Sequence, residues 1–169
     1  MDFLELAERR VSVRGFTEAP VAEEALDAVI EAARLAPSAC NRQPWHLVVI
    51  RDEARRRLLG EAYPQAWFVG APVILALCVE PAAGWQRSDG KSYVDVDGAI
   101  AMDHITLCAA DLGLGTCWIG AFEAHAVRRI LHLPPGIEPL ALTPLGHPAD
   151  AGRPKKRKPR EALVHDEQW

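Results

Sequence analysis

Apolar positions recur along the chain in two rhythms, and each change of rhythm separates a helix from a strand. Residues 2–9 set Phe3, Leu4 and Leu6 among acids, the spacing of a short helix. Val11 to Arg14 alternates branched and polar side chains, as an extended segment does. Pro20 precedes a second helix with Glu23 and Glu24 in its first turn and Leu26, Ile30, Ala33 and Leu35 at helical spacing. Pro37 stops it, because the residue before a proline avoids the helical region. His46 to Ile50 and Val73 to Val79 are short, branched apolar runs, expected as strands buried on both faces. Between them, Glu53 to Glu61 is expected as a helix and Pro64 to Gly70 as a short aromatic segment.

Residues 81–93 collect Pro, Gly, Ser and Asp, the composition of an exposed loop. A helix is expected from Asp97, its N-cap, to Leu112, with Gly113 and Gly115 stopping it. Thr116 to Ile119 is the third expected strand. Ala124 to Leu131 is a helix closed by Pro134 and Pro135, and Leu140 to Leu145 is the fourth strand. No internal repeat interrupts this order. Strands separated by helices make an α/β or α+β sheet protein.

The 169 residues fit one domain, 1–169, and a chain of this size buries roughly 70% of its unfolded surface. Apolar residues at 49% and charged residues at 25% exclude wholesale disorder. A net charge of −4 excludes a surface devoted to nucleic acid, although it permits a local basic site. The opening stretch is acidic and amphipathic and lacks the apolar core of a secretory signal. The longest strongly apolar run, Ala71 to Val79, is nine residues, too short to span a bilayer. Cys40, Cys78, Cys108 and Cys117 lie far apart with no CxxC pair. They are expected as reduced thiols of a cytoplasmic protein, most of them small core residues, and no metal site is expected.

Four segments carry candidate chemistry. In an extended Arg10–Arg14 segment, Arg10, Ser12 and Arg14 share one face, which suits a phosphate; the alternative is a solvated strand edge. Ala36 to Trp45 (APSACNRQPW) pins a loop between two prolines. Its Ser38, Asn41 and Gln43 could read the polar edge of a flat heterocycle, or could simply cap the preceding helix. Gly113 to Gly120 (GLGTCWIG) imitates a dinucleotide-binding loop, but position 118 is Trp118 and the segment leads from helix to strand, the reverse of the required order. Gly120 there would let a flat ligand approach the backbone. Arg153 to Arg160 puts six basic residues into eight: a phosphate sink, a nucleic-acid tail, or a solvated run. The acids Asp89, Asp95, Asp97 and Asp103 lack calcium-loop spacing. His46, at a strand start, and His104, mid-helix, are expected as structural residues.

Taken together and in this order, the segments resemble the flavin-dependent nitroreductase family. The family's N-terminal pattern is similar to Arg9–Phe16 (RRVSVRGF), and its APSxxNxQPW motif to Ala36–Trp45. Its helix start is similar to Asp95–Ala99 (DVDGA), and Leu112–Gly120 (LGLGTCWIG), Leu145–Pro148 (LGHP) and Lys155–Arg157 (KKR) complete the likeness. The resemblance implies an α+β fold, a mostly antiparallel sheet flanked by helices, in an intertwined homodimer whose C-terminal segment, about 150–169, extends over the partner. It implies FMN as cofactor, with Arg10, Ser12, Arg14, Lys155 and Arg157 around the phosphate and ribityl chain. Pro37, Ser38, Asn41 and Gln43 would contact the flavin, Trp118, Ile119 and Gly120 would lie beside its ring, and Arg42 is the candidate for its pyrimidine edge. The implied activity is ping-pong reduction of nitroaromatic, quinone or similar flat acceptors by NAD(P)H, with no catalytic acid or base on the protein. The basic tail then balances a phosphate and not nucleic acid. Alternatives on the same fold are a reductive dehalogenase, a flavin-fragmenting enzyme or a non-catalytic flavin sensor. The aromatics of 63–68, with Trp85 and Tyr93, are candidate walls of the acceptor site, and are equally consistent with core packing.

Overall fold

The computed structural model describes residues 2–169. Helix α1 (Phe3–Arg9) and helix α2 (Glu23–Arg34) lead into strand β1 (Trp45–Ile50). Two short helices, α3 (Glu53–Leu58) and α4 (Ala66–Val69), precede strand β2 (Val73–Val79). The long helix α5 (Val94–Asp111), strand β3 (Gly115–Thr116), helix α6 (Ala124–Leu131) and strand β4 (Glu138–Gly146) follow. The sheet runs β1-β2-β4-β3 and every named pairing is antiparallel. The N-terminal segment adds one parallel bridge, Ser12 to Thr116, and the Val13 N–H donates to the Thr116 carbonyl at 2.9 Å.

Strand alternation divides the core into two layers. Val73, Leu75, Leu77, Ala141 and Leu145 meet α2 and α5, whose Leu26, Val29, Met102 and Ile105 are buried. On the opposite face Ile74, Ala76 and Leu142 meet Leu59, Phe68, Val127 and Ile130. A Cβ on Gly98 would stand 3.0 Å from Val79 Cγ1 and would collide with Leu140, so α5 approaches the sheet as closely as a helix lacking a side chain there allows.

Three expectations change, and one open choice is decided. β1 is an edge strand, half-exposed along most of its length and not buried on both faces, because only β2 pairs with it. Apolar composition alone does not separate an edge strand from a central one. α5 begins at Val94, with Tyr93 at the N-cap and no side-chain cap. Val94 is buried and anchors the first turn, so Asp97 lies inside the helix. The expected Thr116–Ile119 strand shrinks to Gly115–Thr116 plus a single bridge from Ile119 to Leu142. Finally, the aromatic segment belongs to the core: Phe68 is 0% exposed, and Tyr63, Trp67 and Phe68 pack edge to face.

Of the cysteines, Cys78 and Cys117 are buried, Cys108 is partly buried and Cys40 is exposed. Burial pushes the Cys78 thiol from its ordinary 9.0 to about 11, and burial also raises Cys117 and Cys108. Native protein treated with iodoacetamide near pH 8 should therefore be alkylated at Cys40 first, the others reacting on unfolding. The raised Cys78 value also sets a sign. Its contribution to stability is full below about pH 9 and is lost as pH rises toward 11, because the unfolded thiol ionises first. Denaturation midpoints measured across that window would check the direction.

Candidate functional site

The cradle begins where α1 stops. Arg10 is the C-cap of α1, its N–H donating to the Leu6 carbonyl at 2.9 Å while its own backbone turns extended. The extended chain brings Ser12 to the end of β3, on the same side as Arg10. The C-terminal segment then crosses over this start. Lys155 Nζ donates to the Ala7 carbonyl of α1, and Ala149 N–H donates to the Gly15 carbonyl at 2.8 Å. Asp150 is the clasp: its carboxylate accepts from Arg14 N–H at 3.0 Å and from Gly152 N–H at 2.7 Å. Gly152 turns at φ 67°, and a side chain there would also meet Val11.

These contacts enclose two adjoining cavities. The inner one, about 330 Å³, is walled by Arg10, Ser12, Lys155 and Arg157, with Phe3 and Trp118 on its apolar side and Asp103, Thr106 and Leu107 of α5 below. The outer one, about 320 Å³, shares Arg10, Ser12, Lys155 and Arg157 and adds Arg14, Arg153 and Lys156. Among the described residues none of these six cations pairs with a carboxylate. Partial burial, with Arg10 and Arg157 beside it, holds the Lys155 ammonium below the usual lysine range. A larger hollow of about 610 Å³ beside α3 differs in this respect. There Arg57 pairs with Glu53 at 2.5 Å, and Arg56 is committed to the Val69 and Ala71 carbonyls. Its cations are committed to partners, whereas those of the cradle have no ion pair among the described residues.

The second group of candidate residues lies on the loop after α2. Cys40, Asn41 and Gln43 all adopt left-handed backbone, at φ 51°, 53° and 50°. Such conformations cost about 1–3 kcal/mol each outside glycine, least for asparagine. Internal bonds hold them. Gln43 N–H donates to Ser38 Oγ at 2.8 Å, and Gln43 Nε2 donates to Asn41 Oδ1 at 3.0 Å. Arg42 Nη1 donates to the Gly84 carbonyl at 3.0 Å, so this guanidinium ties the loop to the following hairpin.

Asp97, expected as a helix cap, instead pins this loop to α5. It is 1% exposed, and its Oδ1 accepts from Ala39 N–H at 2.8 Å. Its Oδ2 is buried without a partner, and so is the indole Nε1 of Trp45 at the loop's far end. Asp97→Ala should release the loop, while Asp97→Asn keeps an acceptor for Ala39. We expect alkylation of Cys40 to change rate in the alanine variant and to return toward wild type in the asparagine variant. Equal rates in all three proteins would contradict the pinning role.

Of the twelve residues expected at the site, the cradle gathers Arg10, Ser12, Arg14, Lys155 and Arg157, and Trp118 joins the inner wall, its side 41% exposed. Pro37, Ser38, Asn41 and Gln43 do not line either cavity of the same chain. Their loop docks at Asp97, six to nine residues along α5 from Asp103 and Thr106, an axial separation of roughly 9–14 Å. Ile119 is buried against Leu142, and Gly120 is exposed, with nothing within 4 Å of where a Cβ would stand. Asp150, Thr106 and Leu107 escaped the sequence reading. For Asp150 a signal existed: an acid two residues before a glycine is a turn signature.

The sequence and fold both have relatives. The family model described as "Nitroreductase family" matches residues 7–67 and 60–147. The chain is 36% identical over 175 residues to a protein named FMN reductase [NAD(P)H] of Bacillus subtilis, covering 94% of this chain and 70% of that protein. It is 32% identical to a protein named NADH dehydrogenase of Thermus thermophilus, covering 97% of this chain and 95% of that one. The crystal structure of a nitroreductase family protein from Clostridium difficile superposes with a TM-score of 0.90 at 32% identity, over 100% of both chains. With sequence, topology and motif order in agreement along nearly its whole length, the chain belongs to the nitroreductase family.

Proposed function

We propose that the chain is an FMN-dependent oxidoreductase that takes electrons from NAD(P)H and passes them to nitroaromatic, quinone or similarly flat acceptors. The observation that carries this reading is the cradle: Arg10, Lys155 and Arg157 and the Ser12 hydroxyl line one cavity against a single carboxylate, Asp103, with which none of the three forms an ion pair. That donor set fits a phosphate monoester, since charge-assisted hydrogen bonds from arginine and lysine are about twice as strong as neutral ones. Relatives carry names such as FMN reductase [NAD(P)H], NADPH-flavin oxidoreductase and NAD(P)H nitroreductase, which agrees with the same reading.

Bound FMN would supply hydride and electron transfer through its ring system. The chain's own residues bind and orient. Arg10, Lys155 and Arg157 would hold the phosphate, and Ser12 would donate its hydroxyl to it. Trp118, Phe3 and Leu107 form the apolar side of the inner cavity. The preorganised loop of Ser38, Asn41 and Gln43 would reach the flavin's polar edge. It is separated from the cradle within one chain, so its reach is toward the site of a second copy, as a homodimer with shared sites requires. Residues 150–157 pack on their own chain's start, whereas Leu163, Val164 and Trp169 beyond them are exposed, a surface suited to lie over that partner. Residues 1–169 thus act as one domain completed by its copy.

The acceptor wall is narrower than the sequence suggests. The aromatics of 63–68 are core, which leaves Trp85 and Tyr93, packed edge to face with centroids 5.0 Å apart on a hairpin that Arg42 ties to the loop. Trp85→Ala should raise the KM for a flat acceptor several-fold while leaving the melting temperature nearly unchanged. An unchanged KM would remove the hairpin from the acceptor site.

The reading is tested by adding NADH and then NADPH anaerobically to the purified protein. A flavin absorbance band that bleaches with either nucleotide, and recovers with a quinone or nitroarene, is the expected result. A bound flavin that neither nucleotide bleaches would favour a sensor. No flavin, even after adding FMN, would end the proposal.

A further inference from the structure

Lys91 differs from the other charged groups of the hairpin that carries Trp85 and Tyr93. The hairpin closes on itself through its backbone. Gln86 bridges Ser92, Arg87 N–H donates to the Lys91 carbonyl at 2.9 Å, and Tyr93 N–H donates to the Trp85 carbonyl at 3.0 Å. Gly90 turns the chain at φ 90°, its N–H donating to the Arg87 carbonyl at 2.9 Å. The charged side chains are committed too, with one exception. Arg87 grips Asp89 through two bonds, at 2.9 and 2.6 Å, so these two charges neutralise each other. Arg42 is held at the Gly84 carbonyl. The Lys91 ammonium is exposed and has no ion pair among the described residues, although its backbone N–H donates to Asp89 at 3.2 Å. Asp95, the next acid along the chain, is exposed in the first turn of α5 and forms no ion pair with it. Lys91 Nζ lies 6.0 Å from the centroid of the Tyr93 ring, which in turn meets Trp85 edge to face. A rigid turn thus holds one uncompensated cation at the rim of an aromatic pair.

We propose that Lys91 selects anionic acceptors: flat nitroarenes or quinones that bear a carboxylate or sulfonate. The acceptor ring packs on Trp85 and Tyr93, and its anionic substituent pairs with the ammonium. Arg87 cannot take that place without releasing Asp89, so the selectivity falls on Lys91 alone. This inference rests on reading the hairpin as a wall of the acceptor site.

Steady-state reduction of para-nitrobenzoate and of para-nitrobenzamide, compared in the wild type, Lys91→Gln and Lys91→Arg, tests it. The two acceptors are close in shape and differ in charge, so the ratio of their KM values reads the ammonium. Lys91→Gln should raise that ratio, nitrobenzoate over nitrobenzamide, about three- to fivefold, the upper range for a partly exposed ion pair. Salt should raise the ratio in the wild type in the same direction. Lys91→Arg, which keeps the charge, should return it most of the way. An unmoved ratio in Lys91→Gln would overturn the proposal. So would slower bleaching of the flavin by NADH or NADPH in that variant with the ratio unmoved, which would assign Lys91 to the nucleotide. A wild type whose flavin is bleached by a nucleotide but reoxidised by neither acceptor would overturn the flat-acceptor reading, and the role of Lys91 with it. A flavin that neither nucleotide bleaches would overturn the oxidoreductase reading itself.

Discussion

Replacing Arg10 and Arg157 together by alanine should cost the protein its hold on FMN while leaving its fold intact. Both side chains face the inner cavity, and each would contribute a hydrogen bond to a charged phosphate, worth about 1.5–3 kcal/mol. Neighbours sharing one anion do not add independently, so the pair should cost about 3–5 kcal/mol, a loss of affinity of roughly a hundred- to a few thousandfold. The apo-protein should not suffer. Arg10 and Arg157 crowd Lys155, whose lowered pKa records partial burial and their like charges, and removing them relieves that crowding. The melting temperature of the apo variant should therefore match or exceed that of the apo wild type. The rise that FMN gives the wild type by mass action should disappear from the variant. A variant that melts early and still retains FMN would show that the two arginines serve the fold and not the ligand.

Phe68→Ala should have the largest effect on stability of any single truncation considered, and almost none on ligand binding. The ring is 0% exposed, with Tyr63 at a centroid distance of 5.4 Å and Trp67 at 6.5 Å, both edge to face. Emptying such a site costs about 3–5 kcal/mol from lost transfer energy and the cavity left behind. For a domain of this size that lowers the melting temperature by roughly 6–20 °C. Below the transition, FMN affinity and acceptor KM should stay as in the wild type. Unchanged stability with a raised acceptor KM would return the segment to the acceptor site.

The sequence made the helices and the site's ingredients legible because their signals are local. Acids at Glu23 and Glu24, Pro37 after α2, and the periodic run of α6 state their elements outright. The position of a strand within its sheet is not local. His46 to Ile50 is as apolar as a central strand, yet it stands at the edge because no other strand pairs beyond it. Asp97 shows a second limit. An acid before Gly98 at the start of an apolar helix has the pattern of a cap, but buried Val94 draws the helix start upstream and turns the carboxylate toward Ala39. The aromatic run of 63–68 has the composition of a lid and the burial of a core, a distinction set by what packs against it, Leu59 and Ile130 among others. Arg10, Ser12 and Lys155 were readable as candidates from residue type and order. The clasp that joins them, Asp150, depends on two distant segments meeting.

A cradle that binds a flavin through its phosphate must distinguish FMN from riboflavin. Titrating the apo-protein with FMN and with riboflavin, identical but for that phosphate, tests it most directly. FMN should bind about a hundredfold or more tighter than riboflavin, with the difference shrinking as salt is raised. Equal affinity for the two, at low and high salt alike, would contradict it.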